Sequence, residues 1–303
     1  MDGILNLHKP RGMTSHDCVM KVRKLFQTKK VGHTGTLDPD VNGVLPICIG
    51  KATKVVEYVI AQAKKYEGEI TIGIATTTED KSGDVVAKKA VDQRWSKEEI
   101  EAVLRTFEGE LTQVPPMYSA VRVKGKRLYE YARENIPVER PKRKVTIYSL
   151  SLIDGPYYDE ETARFTFSVE CSKGTYVRTL AVDIGEKLGY PAHLSDLVRI
   201  SSGPFQLRDS FTFARLYELE KEGRLASALV PFDVALSHLP KVVVDETTER
   251  QVKNGAILPL ALAENKCTVY NEKGECLAVY TRHPKKRDLM KPEKMFSHGH
   301  PNV

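Results

Sequence analysis

Asp38 is the residue through which this chain could do covalent chemistry. It stands in His33-Thr34-Gly35-Thr36-Leu37-Asp38-Pro39, with Asn42-Gly43-Val44-Leu45 close behind. Pro39 fixes its own φ and turns Asp38 away from helix. Gly32, Gly35 and Gly43 admit backbone angles that other residues resist. The pattern predicts a stiff, exposed loop presenting one carboxylate, and such loops carry function more often than packing. Three uses of the carboxylate compete. Asp38 could simply close a turn on its own backbone, as Asp before Pro often does. Asp38-x-Asp40-x-Asn42-Gly43 also opens like an EF-hand. The twelfth position of that motif, which needs a bidentate Glu, is Ile49, and the ninth is Pro46. The third use is catalytic, and it needs partners from elsewhere in the chain.

Candidate partners are present. Lys9-Pro10-x-Gly12-x-Thr14-Ser15 precedes the loop, and Lys65-Tyr66 opens a strand. Lys173-Gly174-Thr175-Tyr176-Val177-Arg178-Thr179-Leu180 and Leu197-x-Arg199-x-x-x-Gly203-x-Phe205 follow. In this order, and over most of residues 1–205, these blocks resemble the TruB family of pseudouridine synthases. The resemblance implies isomerisation of uridine to pseudouridine in RNA, in this branch at uridine 55 of the tRNA T-loop. It implies that Asp38 is the catalytic carboxylate. The matching Tyr66 would stack on the target base and is a candidate for removing its C5 proton. Tyr176 and Leu197 match positions that enclose the uridine. His33 matches a position that contacts bases displaced from the T-loop. Outside the family context, each of these side chains would read as ordinary core packing, and Arg178 as a helix-surface arginine.

The reaction breaks the N1–C1′ bond and joins C5 to C1′, without redox change or consumption of water. No cofactor is expected, in keeping with the absence of a nucleotide-binding glycine loop. No metal is expected either, because no ligand cluster has metal spacing. Asp38 must be ionised to serve. An Asp titrates near ~3.9, and an adjacent Arg lowers that by roughly 1–3 units. Arg178 is the natural partner, since its fork can hold one carboxylate oxygen and leave the other free. A phenol with a pKa of ~10 is a poor base, so stacking is the expected role of Tyr66.

The elements that must position these groups are legible in outline. Ile4–Leu7 reads as a strand before the Lys9-Pro10 turn. Thr14 or Ser15 caps a helix with Val19, Val22 and Leu25 or Phe26 on one face. Alternation predicts a half-buried strand from Tyr66 to Ile74 and another over Phe165–Cys171. Ser96-x-x-Glu99 starts a helix expected to stop at Gly109. A further helix from about Thr175 to Gly189 buries Val177, Leu180, Ala181, Ile184 and Leu188, with Arg178 one position off that stripe. Strands and helices mix without a strict βαβ rhythm, which favours α+β. The family fold, a central mixed sheet with peripheral helices, fits. The expected division is a catalytic domain over 1–238 and a small β-rich module over 239–303. That module, with strands near 242–244, 267–270 and 277–280, resembles a PUA-like RNA-binding domain. The tail carries Lys285-Lys286-Arg287 and His298-Gly299-His300, expected to be a mobile terminus rather than a metal site.

At 303 residues, 41% apolar and 28% charged, the chain has the composition of a soluble globular protein with room for two domains. No apolar run is long enough for a bilayer, and the first residues lack a secretory pattern. Five scattered cysteines without a C-x-x-C pair fit reduced thiols in the cytoplasm. The charge is less ordinary. Residues 121–144 hold nine Lys and Arg against three acids, which accounts for the whole net charge of +6. Tyr129 and Tyr131 lie among them, a combination suited to phosphate contact and base stacking. Lys124, Lys126, Arg127 and Arg143 are the expected RNA-backbone contacts. In the family this segment corresponds to a mobile insertion that clamps the RNA loop, and guide-RNA-dependent relatives typically lack it. A stand-alone monomer acting on the tRNA T-arm without guide RNA is therefore expected. The competing reading is a non-catalytic tRNA-binding or folding protein, which would have no need of Asp38, Tyr66 and Arg178 together.

Overall fold

The computed structural model describes residues 1–259, 264–286 and 288–296. Arg287, His298 and His300 lie outside the described residues. Alternating strands such as Ala163–Cys171 and continuously buried ones such as Asn42–Ile49 build the main element, a ten-stranded mixed sheet. From edge to edge it runs through Leu229–Val230, Gly3–Lys9, Asn42–Ile49, Ala192–Ser202, Lys64–Ile72, Ala163–Cys171, Arg143–Tyr158 and Gly109–Gln113. Val31–His33 and Phe205–Gln206 pair alongside this path. Among these pairings, Asn42–Ile49 with Ala192–Ser202 is parallel, with Val198 opposite Asn42 and Arg199 opposite Gly43. That short join sets the Ala192–Ser202 strand against the end of the Asp38 loop.

Helices cover the sheet. Val177–Leu188 and Lys97–Arg105 pack through Leu180, Ile184, Ile100 and Leu104 into one core with Phe165, Phe167 and Ile70. Ser15–Leu25 and Phe213–Lys221 pack through Val19, Val22, Leu216 and Leu219 into a second. Thr14 with Asp17, and Ser96 with Glu99, form reciprocal capping boxes. Each box satisfies backbone donors that a helix start leaves open. Gly189 ends its helix in the left-handed conformation, φ +88°.

Several boundaries differ from the sequence expectation. The Lys97 helix stops at Arg105, and Gly109 (φ +99°) instead opens the edge strand. The Tyr66 strand ends at Ile72, because Gly73 (φ +109°) sends its N–H to the Pro191 carbonyl at 2.7 Å. Ile74–Thr76 then pairs with Val85–Lys88 in a separate ribbon. The Arg178 helix begins at Val177, since the Thr175 hydroxyl is engaged in a turn with the Ser172 carbonyl at 2.9 Å. Of the loop glycines, Gly35 (φ +132°) and Gly43 (φ +116°) use left-handed angles, whereas Gly32 lies in the Val31–His33 strand.

Beyond Pro240, Lys241–Val244, Lys266–Asn271, Cys276–Arg282 and Met290–Met295 form a separate four-stranded sheet. The last strand and the helix Glu246–Lys253 were not legible as elements. Val279 and Phe296 share a core with Ile4, Val55 and Tyr58 of the larger sheet's surroundings. Lys54 Nζ donates to the Met295 carbonyl at 2.7 Å, and Tyr270 Oη to Asp233 at 3.0 Å. The five cysteines are free, four of them buried. No helix of the described residues is long and apolar enough to cross a membrane.

Candidate active site

Asp38 lies between the strands Val31–His33 and Asn42–Ile49, on a loop pinned on both sides. Lys9 is fully buried, and its ammonium donates to the carbonyls of Pro10, Pro39 and Val41 at 2.9, 3.0 and 2.7 Å. Burial pulls the Lys9 pKa down, while nearby Asp38 and Asp40 pull it back up. The Ser15 hydroxyl accepts from Leu37 N–H at 2.9 Å and donates to the Leu37 carbonyl at 3.2 Å. Arg199, 1% exposed, donates to the carbonyls of Val44 at 2.6 Å and Gly35 at 3.4 Å. A Cβ on Gly43 would lie 2.3 Å from the Arg199 carbonyl oxygen, so the close parallel join requires glycine there. With Gly35, Leu37, Pro39, Val41 and Val44 all held, Asp38 has little freedom to move.

The carboxylate meets Arg178, which projects from the first turn of Val177–Leu188. Arg178 NH2 lies 3.1 Å from Asp38 Oδ2, with the arginine side chain 8% exposed and the aspartate side chain 44%. The same guanidinium donates to the carbonyls of Thr78 and Tyr118, both at 2.9 Å, and faces Asp80 Oδ2 at 3.6 Å. Four oxygens thus fix the plane of the fork, which a point-charge lysine could not satisfy. One expectation is overturned here. The Asp38 pKa is raised rather than lowered, because desolvation outweighs the pull of Arg178 and the Asp80 charge pushes the same way. The loop is also less exposed than expected at Asp38, which is half-buried, while Pro39 and Asp40 face solvent. The EF-hand geometry is not formed, since Asn42–Ile49 is a strand and Asp38 faces Arg178. Among the described residues, no group of three or more His, Cys, Asp or Glu is arranged to hold a metal ion.

Tyr66 stands opposite Val169 on one neighbouring strand and Arg199 on the other. Its ring packs at the margin of the core that holds Leu197. Burial pushes its phenol pKa up, while a hydrogen bond from Arg199 and that residue's charge oppose the rise. Arg199 therefore donates to the Asp38 loop and stands opposite Tyr66 in the sheet. Leu197 is buried opposite Gly68. Tyr176 is the N-cap residue of the Arg178 helix, and Gln113 clasps its backbone, accepting its N–H at 2.9 Å and donating to its carbonyl at 3.2 Å. His33 Nδ1 accepts from Gly35 N–H at 3.3 Å; burial, with Arg199 nearby, lowers its pKa and keeps the ring neutral at neutral pH.

The basic segment is folded, and it bridges the edge strand Gly109–Gln113 and its neighbour Arg143–Tyr158. Arg122–Val123 and Lys126–Arg127 pair across a Lys124-Gly125 turn with φ +49° and +87°, values typical of a type I′ hairpin. The short helix Leu128–Arg133 follows, anchored by buried Leu128. Lys126 is paired with Glu134 and sits 5.5 Å from the Tyr131 ring. Arg127 and Arg133 lie 5.7 and 5.3 Å from the Tyr129 ring. Lys124 and Arg143 are exposed.

Sequence reading missed Asp80 and Gln113. Asp80 looks like any turn aspartate between Thr and Ser residues, and Gln113 like a polar strand end. The anchoring of the loop by Lys9 and Arg199 was also invisible, although both lie within motifs that the sequence displays.

The TruB family pseudouridylate synthase N-terminal domain matches residues 23–177, and the tRNA pseudouridylate synthase B C-terminal domain matches 178–237. This chain belongs to the TruB family. It is 57% identical over 298 residues to tRNA pseudouridine synthase B of Halalkalibacterium halodurans, covering 98% of each chain. To tRNA pseudouridine synthase B of Bacillus subtilis (strain 168) it is 54% identical over 302 residues, again with 98% of each covered. Among solved structures it is similar to one titled as a Cbf5-Nop10-Gar1 complex, with a TM-score of 0.75 and 28% identity. That match covers 98% of this chain and 85% of the other. The ten-stranded mixed sheet with its covering helices is the pseudouridine synthase fold.

Proposed function

We propose that this TruB-family enzyme isomerises uridine 55 in the T-loop of tRNA to pseudouridine, with Asp38 as the nucleophile. The observation that carries the reading is the 3.1 Å contact of Asp38 Oδ2 with Arg178, on a loop fixed by Lys9, Ser15 and Arg199. Arg178 engages one carboxylate oxygen and favours the ionised form against desolvation, leaving the other oxygen for the flipped nucleotide. The N1–C1′ bond breaks, the uracil turns, and C5 joins C1′; the C5 proton leaves and N1 gains one. No electrons are exchanged with a cofactor. Tyr66 stacks on the uracil, Tyr176 and Leu197 wall it in, and His33 meets bases displaced from the loop.

Extruding the base costs a few kcal/mol. Phosphate contacts from Lys124, Lys126, Arg127 and Arg143 offset that cost. The catalytic domain spans 1–238, and residues 239–303 comprise a PUA-like module and a tail, the module contacting RNA beyond the T-loop. The protein acts as a monomer in the cytoplasm, without guide RNA. The test is incubation with an unmodified tRNA transcript, with no added metal or cofactor, followed by mapping of pseudouridine. Conversion at position 55 is expected. Conversion elsewhere, or none, would overturn the reading.

A further inference from the structure

Glu79 sits between two of the residues that hold Arg178. Thr78 supplies the carbonyl 2.9 Å from Arg178 NH1, and Asp80 the carboxylate 3.6 Å from the same nitrogen. Glu79 has φ +63°, a left-handed conformation that side-chain-bearing residues resist and that persists where the surroundings impose it. Three contacts impose it. Glu79 Oε2 accepts from Thr179 Oγ1 at 2.8 Å, its carbonyl accepts from Leu194 N–H at 3.0 Å, and its N–H donates to the Thr76 carbonyl at 3.3 Å. Thr179 is the residue after Arg178. The contacts Glu79–Thr179 and Thr78–Arg178 therefore close a small ring that includes the reactive arginine and the Thr78 carbonyl, with Asp80 next to it in the chain.

The local charges indicate what this side chain contributes. Glu79 lies near Asp80 and Asp183, and burial pushes its carboxyl pKa up, while Thr179, Arg178 and Arg140 oppose that rise. A further negative charge is disfavoured there. The acceptor oxygen facing Thr179 is what the geometry uses.

The geometry points to Glu79 as a positioning residue: by gripping Thr179 it holds the Thr78 carbonyl and the Asp80 carboxylate on Arg178, and so sets the angle at which Arg178 meets Asp38. This rests on the reading of Asp38 and Arg178 as the reactive pair. Small misplacement of a reacting group costs large factors in rate, up to about a hundredfold for about 1 Å. Binding of tRNA, made by other surfaces, should not change.

The experiment measures single-turnover pseudouridine formation on a tRNA transcript, tRNA affinity and melting temperature. The variants are Glu79→Ala, Thr179→Val, the double variant and Glu79→Gln. Glu79→Ala and Thr179→Val should each slow the single-turnover rate by about tenfold or more, with affinity within about twofold of the parent. The double variant should be no slower than the worse single, since both remove the same contact. Glu79→Gln keeps an acceptor oxygen and should restore most of the rate. An active parent with an indifferent Glu79→Ala variant would overturn this inference alone. So would a loss of rate, affinity and melting temperature together that Gln fails to rescue, because that pattern means general support of the fold. A parent that forms no pseudouridine would overturn the functional reading and this inference with it.

Discussion

Two charged loops of this protein solve opposite problems. The Asp38 loop keeps its cations inside: Lys9 and Arg199 are buried, and they direct their donors to backbone carbonyls of the loop. The segment over 121–144 keeps most of its cations outside: Lys126, Arg127 and Arg133 lie against tyrosine rings, Lys126 and Lys144 pair with glutamates, and half-buried Arg140 donates to the Pro115 carbonyl. A buried cation that satisfies carbonyls fixes a backbone, because breaking those contacts leaves unpaired polar groups away from water. An exposed cation resting on an aromatic ring is held weakly and can exchange that contact for a phosphate. The first arrangement suits a reacting carboxylate that must not wander. The second suits a surface that must adapt to an RNA backbone. The two regions meet at one residue, since the Tyr118 carbonyl that receives Arg178 lies three residues before the basic segment.

The comparison breaks most visibly at Asp38. Asp38→Asn is expected to abolish isomerisation while tRNA affinity stays within a few fold, because the proposed function assigns chemistry to the rigid loop and binding to the exposed segment. Single-turnover assays beside filter binding check this, and residual turnover above about a tenth of the parent would remove Asp38 from the nucleophile role. Arg178→Lys should come next, with a loss of about a hundredfold in rate despite the conserved charge. Lysine cannot reach the Thr78 and Tyr118 carbonyls and both carboxylates in one plane. Near-parental kcat/KM would show that rigidity at this point is not needed.

A subtler test uses pH. As the proposed nucleophile Asp38 must be ionised, and its pKa is raised by desolvation. Activity should therefore fall, as pH is lowered, at a higher pH than the ~3.9 of an ordinary aspartate. Below that limb the carboxyl is protonated and Arg178 keeps only Asp80 as a charged partner. A kcat/KM profile that stays flat down to the ordinary aspartate range would mean that the loop leaves the carboxylate better solvated than its packing implies.

The exposed segment should respond by smaller and graded amounts. Neutralising Lys124, Lys126 and Arg127 together should weaken tRNA binding. It should also flatten the plot of log affinity against log salt, by about 0.7–0.9 for each phosphate that the protein no longer neutralises. Lys126 already has Glu134 as a partner, so its single replacement should matter less than that of Lys124. An unchanged salt slope in the triple variant would make this surface an ordinary solvated face and move the RNA-binding surface elsewhere.

Much of this was written locally. Thr14 with Asp17 and Ser96 with Glu99 specify helix starts through contacts three residues apart, so sequence alone locates them. Alternation over Phe165–Cys171 and the apolar stripe from Val177 to Leu188 depend on strand and helix periods, which are also local. The loop around Asp38 was legible because Pro39 fixes its own backbone and Gly35 and Gly43 admit angles that other residues resist. The end of the Tyr66 strand at Gly73 was not, because the Pro191 carbonyl that captures its N–H comes from a distant part of the chain. Asp80 and Gln113 escaped notice for the same reason. Their role appears only where sheet register and packing bring residues 78–80, 113, 118 and 176–178 together.

What the sequence by itself determined is the family and the identity of the groups that could react, through residue types and spacings that need no partner to be read. What only the tertiary structure decided is their state. Asp38 was expected to be pulled down by its arginine, yet burial raises it, because desolvation depends on everything that surrounds a charge rather than on its one best partner. Lys9 and Arg199 likewise became anchors of the loop only once the fold had removed them from water.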